Sequence, residues 1–188
     1  RDRLRSRGLG DVYKRQNQFN QVYKSQDNNL KYEFAKQYYA AGKYSRAATL
    51  LNDLITTKKG TQEAEESLYM LAMAEFNMKD YETAAEYFRK YYSSYPKGLY
   101  AERAKFFVGE SLYMNAPEPR LDQSTTMTAI SAFQEYLDLF PDAQLKKEAT
   151  NRLFALQDLL VEKEYKNAKL YYYLGSLSLI HISEPTRP

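Results

Sequence analysis

The 188-residue sequence predicts an all-α protein, a solenoid of antiparallel helix pairs, and three observations carry that prediction. Apolar residues recur at helical spacing through most of the chain. The pattern repeats itself with a shift of 37 residues. The 7 Gly and 6 Pro fall mainly between the periodic stretches, while 19 Tyr and 9 Phe supply large side chains for packing in a chain without Trp or Cys.

The clearest copy runs from Glu66 to Pro96. Leu68, Leu71, Ala72 and Phe76 mark one helical face, Lys79 and Asp80 make a tight turn, and Tyr81, Ala84, Phe88 and Tyr91 mark a second face that Pro96 ends. The small residues Ala72 and Ala84 sit where two helices come closest, since larger side chains would push the axes beyond their usual ~8–10 Å. This stretch resembles a tetratricopeptide repeat, which has small residues at these two places and a closing proline.

In chain order, residues 17–29 read as a polar lead-in containing only Phe19 and Val22 as sizeable apolar residues. Repeat 1 spans residues 30–60. Phe34, Ala35, Tyr38 and Tyr39 form its first face, Gly42 closes that helix in a left-handed conformation, and Tyr44, Ala47, Leu51 and Leu54 form the second. Adding 37 carries Ala35 onto Ala72, Tyr44 onto Tyr81 and Ala47 onto Ala84. That step is three longer than a typical copy of about 34 residues, and the turn at Lys58, Lys59 and Gly60 absorbs the excess before Thr61 caps the next helix.

Repeat 2 spans 61–97, and repeat 3 spans 98–142. In repeat 3 Phe106, Gly109, Leu112 and Tyr113 keep the 37-residue step, but Ala129, Phe133, Tyr136 and Pro141 match repeat 2 only at a step of 45. Eight residues are therefore inserted, in the loop 115–126, where Pro117 and Pro119 forbid a continuing helix. Residues 143–176 read as a long first helix of a fourth repeat, capped by Asp142, with Leu145, Ala149, Leu153, Leu156, Leu160 and Tyr165 as its stripe and an aromatic face at Tyr171 to Tyr173. A second helix for this repeat does not follow.

Residues 1–16 and 177–188 lack either periodicity. RGLGDVYKRQ and LSLIHISEPTRP resemble in-frame translations of an adaptor used in sequencing libraries, read on opposite strands. On that reading the chain is a fragment, and its ends are excluded from fold reasoning. The formal charge of +3 then falls to −1, because the head carries a net +4 and the tail none. The basic head that would suggest a nucleic-acid arm, and the single histidine, His181, both leave the argument.

With no His or Cys in the body, the commonest nucleophile–base pairs and zinc ligand sets are missing. There is no glycine-rich phosphate loop. Adjacent acids such as Glu65 and Glu66 read as a solvated helix face. The sequence therefore points to a non-catalytic protein without cofactor or metal. The candidate binding feature is aromatic: Tyr32, Tyr69 and Phe106 form one row on the first helices, and Tyr39, Phe76 and Tyr113 another, each stepping by 37. Lys36, Met73 and Glu110 lie beside them and vary in chemistry, as selective peptide recognition requires. Equally, such rows serve packing between repeats, and spacing alone leaves both readings open. Arg89, Lys90, Arg103 and Lys105 form a basic zone suited to a solvated face or to an acidic partner.

KYEFAKQYYAAGKYSRAATLL, YYSSYPKGLYAERAKFFVGESLY and the post-insertion LDQSTTMTAISAFQEYLDLFPDA resemble the BamD family of outer-membrane assembly lipoproteins, as does the long helix ending VEKEYKNAKLYYYLG. That resemblance implies an adaptor on the periplasmic face of the outer membrane, anchored by an N-terminal lipid on a cysteine upstream of Asn17. Its implied partners are a barrel-forming assembly subunit and unfolded outer-membrane proteins, with no nucleic acid. It further implies a client surface at Tyr32, Lys36, Tyr39, Tyr69, Met73, Phe76 and Phe106, and secondary contacts at Arg89, Arg103, Arg120 and Asp122. Two other readings remain: a periplasmic repeat scaffold in envelope or cell-division coordination, and a regulatory repeat module of a larger enzyme.

Overall fold

The computed structural model describes residues 17–57 and 60–174. The adaptor readings at both ends, His181, and the turn lysines 58 and 59 lie outside these residues. Among the described residues there are eight helices and no strand, as the periodicity predicts. A first helix, α1, covers residues 17–24. It is followed by α2 (Asn28–Ala40), α3 (Tyr44–Thr57), α4 (Gln62–Asn77), α5 (Tyr81–Ser94), α6 (Ala101–Met114), α7 (Ser124–Leu139) and α8 (Lys146–Tyr173). The chain divides into two compact units, one ending at Ala104 and the other beginning at Lys105 within α6.

In the first unit α2 packs on α3, α3 on α4, and α4 on α5. The alignment of repeats by a step of 37 is reproduced in burial: Ala35, Ala72, Ala47 and Ala84 are all fully buried, as are Leu51 and Phe88. The lead-in is structured, which its polar composition hides. Val22 is buried, Phe19 packs edge-on to Tyr38 at 5.8 Å, and the Arg46 guanidinium lies 5.6 Å from the Phe19 ring. Helix α2 also starts earlier than the apolar pattern does, because the Asp27 side chain accepts from the amides of Asn29 (2.9 Å) and Leu30 (3.2 Å). Lys31 is buried and ion-paired with Asp53 of α3.

The turns after α2 and α4 share one geometry. Lys43 N donates to Tyr38 O and Gly42 N to Tyr39 O; 37 residues on, Asp80 N donates to Glu75 O and Lys79 N to Phe76 O. This double bond closes a helix only when the residue after the cap is left-handed. Gly42 has φ 70° and Lys79 φ 66°. Thr61 caps α4 through Ala64 N at 3.2 Å, and Asp80 caps α5 through Thr83 N at 3.2 Å.

The link from α5 to α6 is fixed by a buried tyrosine. Tyr91 has no exposed surface, and its hydroxyl donates to Glu65 Oε1 (2.5 Å) while accepting from Tyr100 N (3.1 Å). The same carboxylate oxygen accepts from Leu99 N at 2.9 Å. A Cβ at Gly98 would lie 2.7 Å from the Tyr91 hydroxyl and would also strike Glu65, so only glycine fits beneath this junction. Tyr100 then stacks on Tyr69 with centroids 4.4 Å apart.

In the second unit the small residue is Gly109. A Cβ there would meet the Phe133 ring at 2.8 Å, so the ring of α7 rests against bare backbone of α6. Phe106 packs edge-on to Phe133 (5.9 Å) and Tyr136 (5.6 Å), and Ala129, Phe133 and Tyr136 are fully buried as the step of 45 predicts. The inserted loop is shorter than the 115–126 read from sequence, since α7 begins at Ser124. Thr126 is buried and donates to Gln123 Oε1, whose amide nitrogen donates to Glu118 O (2.8 Å) and Leu121 O (3.2 Å). Helix α8 starts at Lys146, not at Ala143, and Asp142 does not cap it; Leu145 stands at the N-cap without a side-chain bond. Only Ala149 and Leu156 of α8 are buried, whereas Val161, Tyr165, Leu170, Tyr172 and Tyr173 are exposed.

Two outcomes test this packing. Lys79→Gly relieves a left-handed side chain worth ~1–2 kcal/mol at an entropic cost of ~0.5–1 kcal/mol, so urea unfolding should show a small gain in stability, whereas Gly42→Lys should show a loss. Tyr91→Phe strands Tyr100 N and should cost ~1–3 kcal/mol. Gly98→Ala should cost a similar amount, and the double variant should fall short of the sum, because both break one junction.

Candidate functional site

The face shared by α2 and α4 in the first unit gathers most of the residues singled out by the aromatic rows. Tyr32, Lys36 and Tyr39 lie on successive turns of α2, and Tyr69, Met73 and Phe76 on successive turns of α4. Glu66 joins the two helices: it accepts from the Tyr32 hydroxyl and pairs with Lys36 Nζ at 3.4 Å. The ammonium of Lys36 also lies 4.3 Å from the Tyr32 ring centre, within cation–π range. Burial, seconded by the Glu66 carboxylate, raises the pKa of the Tyr32 phenol. The hydroxyl therefore stays protonated as a donor throughout the physiological range. Lys36 is held charged chiefly by its bond to the Tyr32 oxygen.

One turn further on, Tyr39 meets Tyr44 edge-on at 5.5 Å. Burial and then Tyr44 raise the Tyr39 phenol above its ordinary value while a bond with Asn77 opposes the rise, and Tyr39 in turn adds to the rise at Tyr69. Tyr69 is a half-buried ring of the set. It packs against Phe88 (5.9 Å) and Tyr91 (5.8 Å) and stacks on Tyr100, and burial pushes its phenol up to about 12. Phe76 lies edge-on to Tyr81 at 5.3 Å. Met73 is half-buried, with its flexible thioether side chain on the same face.

Several residues sit differently from what their spacing suggests. Phe106 retains only 3 % of its surface and serves the core of the second unit, because the missing side chain at Gly109 lets Phe133 move in beside it. Tyr32 is also buried, at 8 %, so its contribution at the surface is through its bonded neighbours Glu66 and Lys36. Glu110 does not project as a recognition residue. It is buried and held by Arg152 in a two-pronged bond (2.8 and 2.9 Å), with the guanidinium 4.8 Å from the Tyr113 ring.

The pair Glu65 and Glu66 is not a solvated face, since both carboxylates are spent on tyrosine hydroxyls of other helices. Sequence reasoning missed them because adjacent acids on a helix normally point to water. The available signal was a tyrosine for each: Tyr91 on the second helix of the same repeat for Glu65, and Tyr32 in the preceding repeat for Glu66. Of the basic zone, Arg89, Lys90 and Arg103 are exposed, while Lys105 is ion-paired with Glu135 at 2.6 Å. In the inserted loop Arg120 is exposed. Asp122 accepts from Ser124 Oγ at 2.5 Å, which is the main cause of its lowered pKa, and Lys163 of α8 donates to the neighbouring Leu121 O at 3.3 Å.

Among the described residues no cluster of His, Cys, Asp and Glu is arranged to hold a metal, and no helix is long and apolar enough to cross a membrane. The α2–α4 face is instead a strip of half-exposed rings and one thioether, crossed by a Lys–Glu pair. Chemically it can grip apolar side chains and orient one charged or polar end.

No curated protein matches the chain. The family model described as YfiO, outer membrane lipoprotein, matches residues 24–176. That span runs from the end of α1 past the end of α8, and with the paired-helix architecture of each unit it places this chain in the YfiO family of outer-membrane lipoproteins.

Proposed function

We propose that the chain is a non-catalytic adaptor in the assembly of outer-membrane β-barrel proteins, working from the periplasmic face of the membrane to which an N-terminal lipid tethers it. The observation that carries this reading is membership of an outer-membrane lipoprotein family over residues 24–176. In this reading unfolded barrel segments bind the α2–α4 face, with Tyr39, Tyr69, Met73 and Phe76 taking apolar side chains and the Tyr32–Glu66–Lys36 group reading a polar or charged end. Arg89 and Arg103 in the first unit, and Arg120 and Asp122 in the second, supply secondary contacts.

A chain-terminal segment suits this face because each half-buried ring offers part of the ~1.5–3 kcal/mol that full burial of such a side chain is worth. A few partial burials give a weak, reversible grip, appropriate to a client that must be handed on. The barrel-forming subunit would bind later in the chain, where α8 exposes Val161, Tyr165 and Tyr172.

The client reading is tested by titrating a fluorescent C-terminal peptide of an outer-membrane barrel against the chain and against Lys36→Ala with Met73→Ala. A loss of about fivefold or more in affinity is expected, and equal affinity sinks the assignment. For the partner, Val161→Glu with Tyr165→Glu should abolish co-purification with the barrel-forming subunit while leaving the peptide titration unchanged. Retained co-purification would remove α8 from the interface.

A further inference from the structure

In the first unit, residues of α3, α4 and α5 together with Tyr23 of α1 line an open groove of about 480 Å3. Its volume lies within the ~300–1,000 Å3 typical of ligand clefts. Its floor is apolar, made by Ala48 of α3 and Leu71 of α4. The walls are polar; Ser45 and Asn52 bring donors as well as acceptors, whereas two threonines act as acceptors alone. Thr49 Oγ1 donates to Ser45 O (3.0 Å) and Thr56 Oγ1 to Asp53 O (2.7 Å), so both hydroxyls spend their proton within α3 and offer only oxygen lone pairs to a guest.

Glu75 of α4 also lines the groove. Among the described residues its carboxylate has no hydrogen bond and no ion pair, and its charged neighbour is Asp80, of the same sign. Burial and that like charge raise its pKa, as expected of an acid short of a counter-ion. None of the residues lining the groove is basic. Lys31, outside the lining, is ion-paired with the lining residue Asp53. Tyr23 and Tyr87 place aromatic rings at the groove.

We propose that this groove is a docking site for an arginine side chain carried by a partner protein. A guanidinium presents five donors in a plane and no acceptor, and it stacks on aromatic faces. The groove presents the complement: carboxylate and hydroxyl acceptors, an unneutralised Glu75, and tyrosine rings. Charge complementarity thus names the occupant, with Glu75 as the bidentate partner and Thr49 and Thr56 as further acceptors. The site shares no residue with the α2–α4 face, so either can fail without the other.

The test is an NMR titration of the 15N-labelled full chain with the capped peptide Gly-Ser-Arg-Ser-Gly, and with the same peptide carrying citrulline or lysine in place of arginine. Citrulline keeps the shape and removes the charge. Saturable shifts centred on the amides of Ala48, Asn52, Glu75 and Tyr87 are expected for arginine, weakened by about tenfold or more for citrulline and in Glu75→Gln. Citrulline binding equal to arginine, or shifts centred elsewhere, would falsify the site. Lysine binding as tightly as arginine would overturn the guanidinium assignment. The wild-type comparison of peptides decides the matter even if Glu75→Gln fails to fold.

Discussion

The first unit depends on one buried junction. Tyr91 brings a phenol into a fully enclosed position, where an unbonded hydroxyl would be costly, and Glu65 and Tyr100 N satisfy it from both sides. Because Glu65 also holds Leu99 N, a single carboxylate from α4 fixes the end of α5 and the start of α6 together. The bare backbone at Gly98 is what allows the approach. The consequence reaches the candidate client face directly. Tyr100 is positioned by this junction, and Tyr69 takes its orientation by stacking on Tyr100.

The second unit uses the same principle with different chemistry. Here Gly109 admits the Phe133 ring, and a buried polar tie is the Glu110–Arg152 pair between α6 and α8. Removing one member of such a buried pair leaves an uncompensated charge, which is why these ties are more restrictive than their net contribution to stability suggests. Both units combine a seam of small residues with satisfied polar crossings between helices. The seam sets how close the helices come, and the crossings set their register.

Much of the fold was legible in the sequence because its strongest signal, small and aromatic residues at fixed steps, is also what close helix packing demands. Ala35, Ala72 and Gly109 were aligned by spacing and are all buried. Helix starts were read less well. The start of α2 is set by a side-chain bond from Asp27, and α8 begins without a capping side chain, so apolar periodicity marks neither. The helix within the lead-in goes unmarked for a related reason: Phe19 and Val22 are too few to show a period, yet suffice to seat α1 on Tyr38. For the candidate site, spacing found the rings but could not tell a half-exposed Tyr69 from a buried Phe106. That difference lies in the partner helix, where Phe133 closes over one and Tyr100 leaves an edge of the other. The roles of Glu65 and Glu66 were illegible because each depends on a hydroxyl more than twenty residues away.

Gly42 and Lys79 occupy the same place in successive copies and adopt the same left-handed bend, although only one of them is suited to it. The bend is therefore imposed by the helices it joins, whose packing outweighs the local preference of the turn residue. A unit duplicated along such a chain would inherit its hinge from its seam, and the residue at the hinge would be left open to change for other purposes. At position 79 that freedom has put a positive charge at the rim of the pair, next to the helix start at Asp80.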